Sequence, residues 1–292
     1  MNSFSIKMIA LITMIIDHIG YMGSLTWDDK LYFETFRMIG RISFPLFAFL
    51  IAEGCKHSKD LVKYMQRLLI VAMITEIPFL LFSNGFIMPV DMGNSFSYDS
   101  RNILFTLFLG VMTVYLYERI KSSEFKKSAI VAPAVVLLTA SVAEFASTDY
   151  GGRGILLIFL LYLARTKLMK AEVIVFFAFL QLTYNLNPLQ YISQISMATN
   201  IQFFALTILM IVCINLYNGK REFNFEYLRY FMYPYVAQIL ATNVQFSIFT
   251  IFPIVFICLY NGKLGPKFKY LFYFMYPAHL AVIGVVWFLF FM

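Results

Sequence analysis

The stretch that decides the fold is Met8-Ile9-Ala10-Leu11-Ile12-Thr13-Met14-Ile15-Ile16-Asp17-His18-Ile19-Gly20, an apolar run interrupted only near its end by Asp17-His18. Apolar segments of spanning length recur from here to the C-terminus, and 61% of the 292 residues are hydrophobic, 18% aromatic and 13% charged, with a mean hydropathy of +0.75. Such a composition lies far from that of a soluble domain. The chain reads as an all-α polytopic membrane protein forming one integral domain over residues 1–292. Two ionisable groups inside a span are costly unless paired, solvated or used, so Asp17 and His18 become the first candidates for chemistry.

A window of about twenty residues, the length needed to cross the hydrocarbon, gives about ten to eleven helices. They run approximately Ser5–Ser24, Leu31–Ala52, Leu61–Phe82, Asn102–Glu118, Ser128–Ser147, Gly154–Ala164, Ala171–Leu186, Asn200–Tyr217, Tyr227–Ala241, Phe246–Tyr260 and Tyr270–Met292. The sixth is too short to span unaided, and its start at Gly151-Gly152 suggests an interfacial turn or a broken helix. The first run has no A-x-A cleavage site and reads as an uncleaved span.

The net charge of +7 has a topological explanation. Lys56, Lys59, Lys63, Arg67, then Arg119, Lys121, Lys126, Lys127, then Arg165, Lys167, Lys170, Lys220, Arg221, Arg229, Lys263, Lys267 and Lys269 fall in alternate connections. Asp28, Asp29, Asp91, Asp99, Glu144 and Asp149 fall in or beside the other set. The positive-inside rule then makes the N-terminus cytoplasmic and the C-terminus external, and no nucleic-acid partner is implied. Cys55, Cys213 and Cys258 lack metal or redox spacing and read as buried apolar residues. No Walker, zincin or C-x-x-C motif occurs, so neither an ATP motor nor a metal centre is expected.

An internal repeat marks the C-terminal part. Leu216-Tyr217-Asn218-Gly219-Lys220 with Tyr230-Phe231-Met232-Tyr233-Pro234 returns 43 residues later as Leu259-Tyr260-Asn261-Gly262-Lys263 with Tyr273-Phe274-Met275-Tyr276-Pro277. Residues 216–241 and 259–284 therefore form a tandem duplication of a helix segment. Val236 occupies the position of His279, so only the later copy carries an ionisable group after its Tyr-Pro. The plainer alternative is that Tyr-Pro only starts or kinks a helix and His279 is an incidental polar residue.

Depth connects the scattered polar residues. Lys7 and His18 are eleven residues apart, about 16 Å along one helix face, which sets lysine at the cytoplasmic rim and histidine near mid-membrane. Arg41, in Gly40-Arg41-Ile42-Ser43-Phe44-Pro45, and His279 fall at similar depth. Adjacent residues point about 100° apart, so Asp17 is expected to pair with Arg41 while His18 faces a cavity; a purely structural Asp17–Arg41 pair is the alternative. Glu76 is an intramembrane carboxylate that requires a partner. Asn102 and Asp149 lie at the outer ends of helices, where capping or solvation would also explain them. Glu53, Lys56, Lys63 and Arg67 form a charged cytoplasmic mouth suited to an anionic ligand, although a solvated positive-inside loop would look the same.

Lys7 through Asp17-His18-Ile19-Gly20, Gly40-Arg41-Ile42-Ser43-Phe44-Pro45, Ala52-Glu53-Gly54, Tyr64 with Arg67, Glu76-Ile77-Pro78, Arg101-Asn102-Ile103, Asp149-Tyr150-Gly151 and Tyr276-Pro277-Ala278-His279 resemble, in order, the TraX family. The duplicated helix pair departs from what a minimal member would carry. The resemblance implies a multi-pass protein of the bacterial cytoplasmic (inner) membrane, an acetyltransferase of the kind that N-acetylates pilin, related to larger membrane acyltransferases. Many of those carry a basic residue about ten positions before a first-helix histidine, a spacing like that of Lys7 and His18. It further implies acetyl-CoA as acyl donor, docked by Lys7, Glu53, Lys56, Lys63, Arg67 and Tyr276. The catalytic candidates are then His18, Asp17, His279, Arg41, Glu76, Asn102 and Asp149. The acceptor would be an external amine or hydroxyl, on a peptide, a pilin N-terminus or a glycan. A proton-coupled secondary transporter, or a noncatalytic membrane component of a conjugation or secretion system, would use the same residues differently.

The charge alternation predicts that a topology reporter fused after Met292 behaves as external and one inserted within residues 121–127 as cytoplasmic. A cytoplasmic C-terminus would show that one span has been counted too many.

Overall fold

The computed structural model describes residues 1–24, 30–84, 100–121, 128–185, 249–266 and 268–291. Every regular element among them is a helix: α1 Ser3–Ser24, α2 Lys30–Gly40, α3 Ser43–His57, α4 Leu61–Ser83, α5 Ile103–Lys121, α6 Ser128–Phe145, α7 Gly151–Leu163, α8 Lys167–Asn185, α9 Pro253–Leu259 and α10 Lys269–Phe291. Among the described residues five stretches are long and apolar enough to cross a membrane: Ser3–Ser24, Tyr32–His57, Leu61–Ser83, Ile103–Lys121 and Leu271–Phe290. The protein is an all-α polytopic membrane protein. The helices expected at 200–217 and 227–241, and with them the first repeat copy and Val236, lie outside the described residues.

The span expected at Leu31–Ala52 is two helices, not one. α2 ends at Gly40 and α3 begins at Ser43, with Arg41 and Ile42 in a tight turn whose amides bond three residues back, to Met38 and Ile39 at 3.1 and 3.2 Å. The cause is Pro45. In a continuous helix its ring would collide with the Arg41 carbonyl and its missing N–H would leave that carbonyl unbonded, whereas in the first turn of a new helix neither cost arises. The buried Ser43 hydroxyl donates to the Ala10 carbonyl at 2.9 Å and ties the start of α3 to α1.

The short sixth segment is α7, buried along its whole length from Gly151 to Leu161 apart from Arg153 and enclosed by α3, α5, α6 and α8. A helix apolar on all sides belongs inside a bundle, so 13 residues suffice where a lipid-facing span would need about 20. Its entry is strained: Tyr150 (φ 63°) and Gly151 (φ 46°) are left-handed, and a side chain at Gly151 would collide with Glu144, which accepts the Gly152 amide at 2.8 Å. α9 is also shorter than expected, starting at Pro253 after a turn at Phe252.

Helix ends sort by charge. Lys56 donates to the Leu161 and Ala164 carbonyls, Lys170 pairs with Glu53 at 2.9 Å, Lys167 donates to the Cys258 carbonyl, and the amides of Ser3 and Phe4 donate to Lys263 and Leu264. The starts of α1 and α8 and the ends of α3, α7 and α9 thus share one basic face. At the other face Tyr21 donates to Ser83, and Arg101 forms an isolated bridge with Thr148. Cys55 is buried as expected, Cys258 is exposed, and Cys213 lies outside the described residues.

Gly20 and Gly40 mark where α1 and α2 touch: a Cβ at Gly20 would lie 2.7 Å from that of Phe36, and one at Gly40 would overlap the Asp17 side chain. Gly40→Ala is therefore expected to cost about 1–3 kcal/mol through overpacking. Ile74→Ala, at an exposed apolar site, should stay within about 0.5 kcal/mol. Denaturation of both variants in detergent tests this; equal losses would mean that α1 and α2 are not in close contact.

Candidate functional site

Two histidines from opposite ends of the sequence meet inside the bundle. Nδ1 of His18 on α1 lies 2.7 Å from Nε2 of His279 on α10, with the two rings within 5° of parallel and their centroids 4.9 Å apart. Nδ1 of His279 lies 2.9 Å from the Met275 carbonyl one turn earlier. Phe82 of α4 packs 5.1 Å from the His18 ring, and Tyr276 meets the His279 ring edge-on at 5.4 Å. His279 is buried and His18 half-buried.

Asp17 has a different main partner from the one expected. Arg37 of α2 donates through Nη1 to Asp17 Oδ2 at 2.5 Å. Arg41 lies one turn further on, beyond the α2 break, and turns to hydrogen-bond Tyr150, with the Asp17 and Asp149 charges nearby. The geometry explains the change: α2 packs along α1, and Arg37, one turn before Gly40, meets Asp17 first. The i, i+4 spacing of Arg37 and Arg41 is the signal in the sequence, since either arginine can lie on the face that meets Asp17. Burial pushes the Asp149 carboxyl up to about 6 against the pull of Arg41, and raises the Tyr150 phenol to about 12. The Thr106 hydroxyl donates to the Asp149 carbonyl, and Tyr150 stacks on Phe44 at 3.8 Å.

Glu76 and Asn102 find each other. Asn102 Nδ2 donates to Glu76 Oε2 at 2.5 Å and to the Ala72 carbonyl at 2.9 Å, while its Oδ1 accepts the Leu104 amide at 3.0 Å and caps α5. Arg101 adds a longer pair with Glu76 at 3.8 Å. The cluster fastens α4 to the first turn of α5, where the Tyr276 phenol hydrogen-bonds the Ile103 backbone.

Between α1, α3, α4, α5 and α10 lies a cavity of about 450 Å³, within the range of small-molecule sites. Lys7, Glu53, His57 and Arg67 line its basic-face end; Met14, Ile103 and Tyr276 line its inner part. Met14 is four residues before His18 and Tyr276 three before His279, so the inner wall stops about one helical turn from the histidine pair. Lys7 also stands 5.3 Å over the Phe272 ring. Of the residues expected to hold an anionic donor, Lys7, Glu53, Arg67 and Tyr276 line the cavity and Lys56 and Lys63 do not. Lys56 caps α7 and pairs with Glu53, and Lys63 is exposed beside Asp60 at 3.5 Å. His57, adjacent to Lys56, also lines the cavity. Among the described residues no three His, Cys, Asp or Glu side chains group as a metal site.

A family profile described as TraX protein matches residues 3–243. The chain belongs to the TraX family. The match ends before α10, so His279 is brought to the TraX-matched helices by the later repeat copy. A probable fimbrial assembly protein, FimC of serogroup H1, from Dichelobacter nodosus is 31% identical over 115 residues, 39% of this chain. The chain spans 46% of that relative's length. No solved structure matches.

Removing Arg37 is expected to strand the half-buried Asp17 carboxylate beside the histidines. Arg37→Met should lower stability by about 3 kcal/mol, at the lower end for breaking a buried pair because Arg37 keeps 32% of its side chain exposed. Lys63→Met, in an exposed pair, should change it by less than about 1 kcal/mol. Chemical denaturation in detergent checks the contrast, and a neutral Arg37→Met would mean that Asp17 takes another partner at no cost.

Proposed function

We propose that this TraX-family protein is a membrane-embedded acyltransferase of the bacterial inner membrane, moving an acetyl group from cytoplasmic acetyl-CoA to an amine or hydroxyl acceptor arriving from the opposite face. The observation that carries the reading is the cavity: cationic at the basic face, apolar along its length and lined at its inner part by Met14 and Tyr276, about one helical turn from a histidine pair. Lys7, Arg67 and His57 suit the phosphates of the donor, and the apolar walls suit its pantetheine arm. Glu53, held by Lys56 and Lys170, keeps two further cations at the rim.

Chemically, His18 takes the proton of the acceptor as its nitrogen or oxygen bonds to the thioester carbon. The C–S bond then breaks, and the proton passes from His18 to the departing sulfur. Tyr276, which lines the inner part of the cavity three residues before His279, supplies a hydroxyl that can donate to the developing oxyanion. Asp17, Arg37, Arg41, Asp149 and Tyr150 form the polar wall beyond the histidines, on the acceptor side. The fimbrial-assembly name of the FimC relative, together with the family, favours the amino terminus of a pilin-type subunit as acceptor.

The test is acetyl-CoA affinity and single-turnover transfer on the purified protein in lipid nanodiscs. His18→Ala should keep donor affinity and lose turnover by about a hundredfold to ten-thousandfold, the usual contribution of a general base. Lys7→Ala should instead weaken donor binding by about tenfold, an effect of uniform binding with turnover of the bound complex retained. Absence of acetyl-CoA binding, combined with proton-coupled uptake in vesicles, would replace the enzyme by a transporter.

A further inference from the structure

We infer that His279 is a positioning residue: its ring holds the His18 imidazole in the tautomer protonated on Nδ1, so that the lone pair of His18 lies on Nε2. The inference rests on the acyl-transfer reading for its consequence, but not for its geometry.

The argument begins at a group whose role is unambiguous. The Met275 carbonyl can only accept, so the 2.9 Å contact from His279 Nδ1 requires a proton on that nitrogen. A neutral imidazole carries one N–H, and His279 Nε2 is therefore an acceptor. The 2.7 Å contact then requires the proton on His18 Nδ1, and His18 Nε2 is left with the lone pair. One backbone carbonyl on α10 thus decides, through two rings, which nitrogen of α1 can remove a proton.

The same chain of contacts helps during reaction. When His18 gains a proton on Nε2 it becomes an imidazolium, and its Nδ1–H bond to His279 becomes charge-assisted, which strengthens it. This is the role of the carboxylate behind the histidine in a catalytic triad, filled here by a neutral imidazole. Asp17 cannot fill it, since it projects about 100° away from His18 and is held by Arg37 at 2.5 Å. Nor can the equivalent position of the other repeat copy, which is Val236. Pro277, between Met275 and His279, leaves the Tyr273 carbonyl without its helical amide and loosens the turn in which the His279 ring reaches back.

Two variants separate positioning from direct chemistry. Gln at 279 offers an oxygen near the place of Nε2, able to accept from His18 Nδ1–H; Leu offers none. His279→Gln should keep turnover within about tenfold of wild type, whereas His279→Leu should lose about a hundredfold or more, both with unchanged acetyl-CoA affinity and yield. A Gln variant as inactive as the Leu variant would mean that the ring itself reacts, and a fully active Leu variant would mean a structural role only; either overturns the inference. The chain has three histidines, His18, His57 and His279, so nitrogen NMR of ¹⁵N-histidine-labelled protein in lipid can be assigned by single substitutions. His18 is expected to show a protonated Nδ1 and a bare Nε2, and to lose that preference in His279→Leu. Finding His18 protonated on Nε2 in the wild type overturns the inference whatever the activity. If the tautomer holds but the wild type transfers no acyl group, the acyl-transfer reading fails alone.

Discussion

A polar side chain inside a helix bundle surrounded by hydrocarbon has no water to fall back on, and among the described residues many such groups are satisfied by a residue on another helix. Asp17 and Arg37 join α1 to α2, His18 and His279 join α1 to α10, and Glu76 and Asn102 join α4 to α5. Thr113 and Thr139 join α5 to α6 at 2.8 Å, Tyr162 and Glu118 join α7 to α5 at 3.0 Å, and Glu53 and Lys170 join α3 to α8. Without an aqueous competitor each bond is worth more as a specifier of which helices meet, even where its net contribution to stability is modest.

The break between α2 and α3 shows how one backbone constraint shapes the site. Pro45 forbids a continuous helix, so the chain turns at Arg41, and two arginines one turn apart receive different tasks. Arg37 neutralises Asp17 beside the histidines; Arg41 reaches Tyr150 and the Asp149 charge at the mouth of α7. Without the break both would follow one straight face. The short α7 complements this arrangement, because its strained entry at Tyr150 and Gly151 presents a loop, not a helix flank, to Arg41.

Separation of charge between the two faces gives the proposed reaction a direction. The cavity opens among Lys7, His57 and Arg67 on the basic face, while the carboxylates Asp17, Glu76 and Asp149 lie beyond its inner end. In the proposed reaction an anionic donor is attracted to the first, while the second, whose carboxylates are each matched by an arginine, offers it no comparable site.

Read alone, the sequence was enough for the membrane class, the order of most described helices, the matching level of His18 and His279 and the cations Lys7 and Arg67 on the cavity wall, because hydropathy and spacing along a helix are local properties. It also showed that only one repeat copy carries the histidine. The partner of Asp17, the division of labour between Arg37 and Arg41, the diversion of Lys56 to capping α7 and the mutual satisfaction of Glu76 and Asn102 were decided by tertiary structure. So was the contact of His18 with His279, 261 residues away in the chain. Periodicity reports how far along a helix a side chain lies and on which side, but which neighbour faces that side depends on helix breaks and packing distances set by residues elsewhere, here Pro45, Gly20 and Gly40.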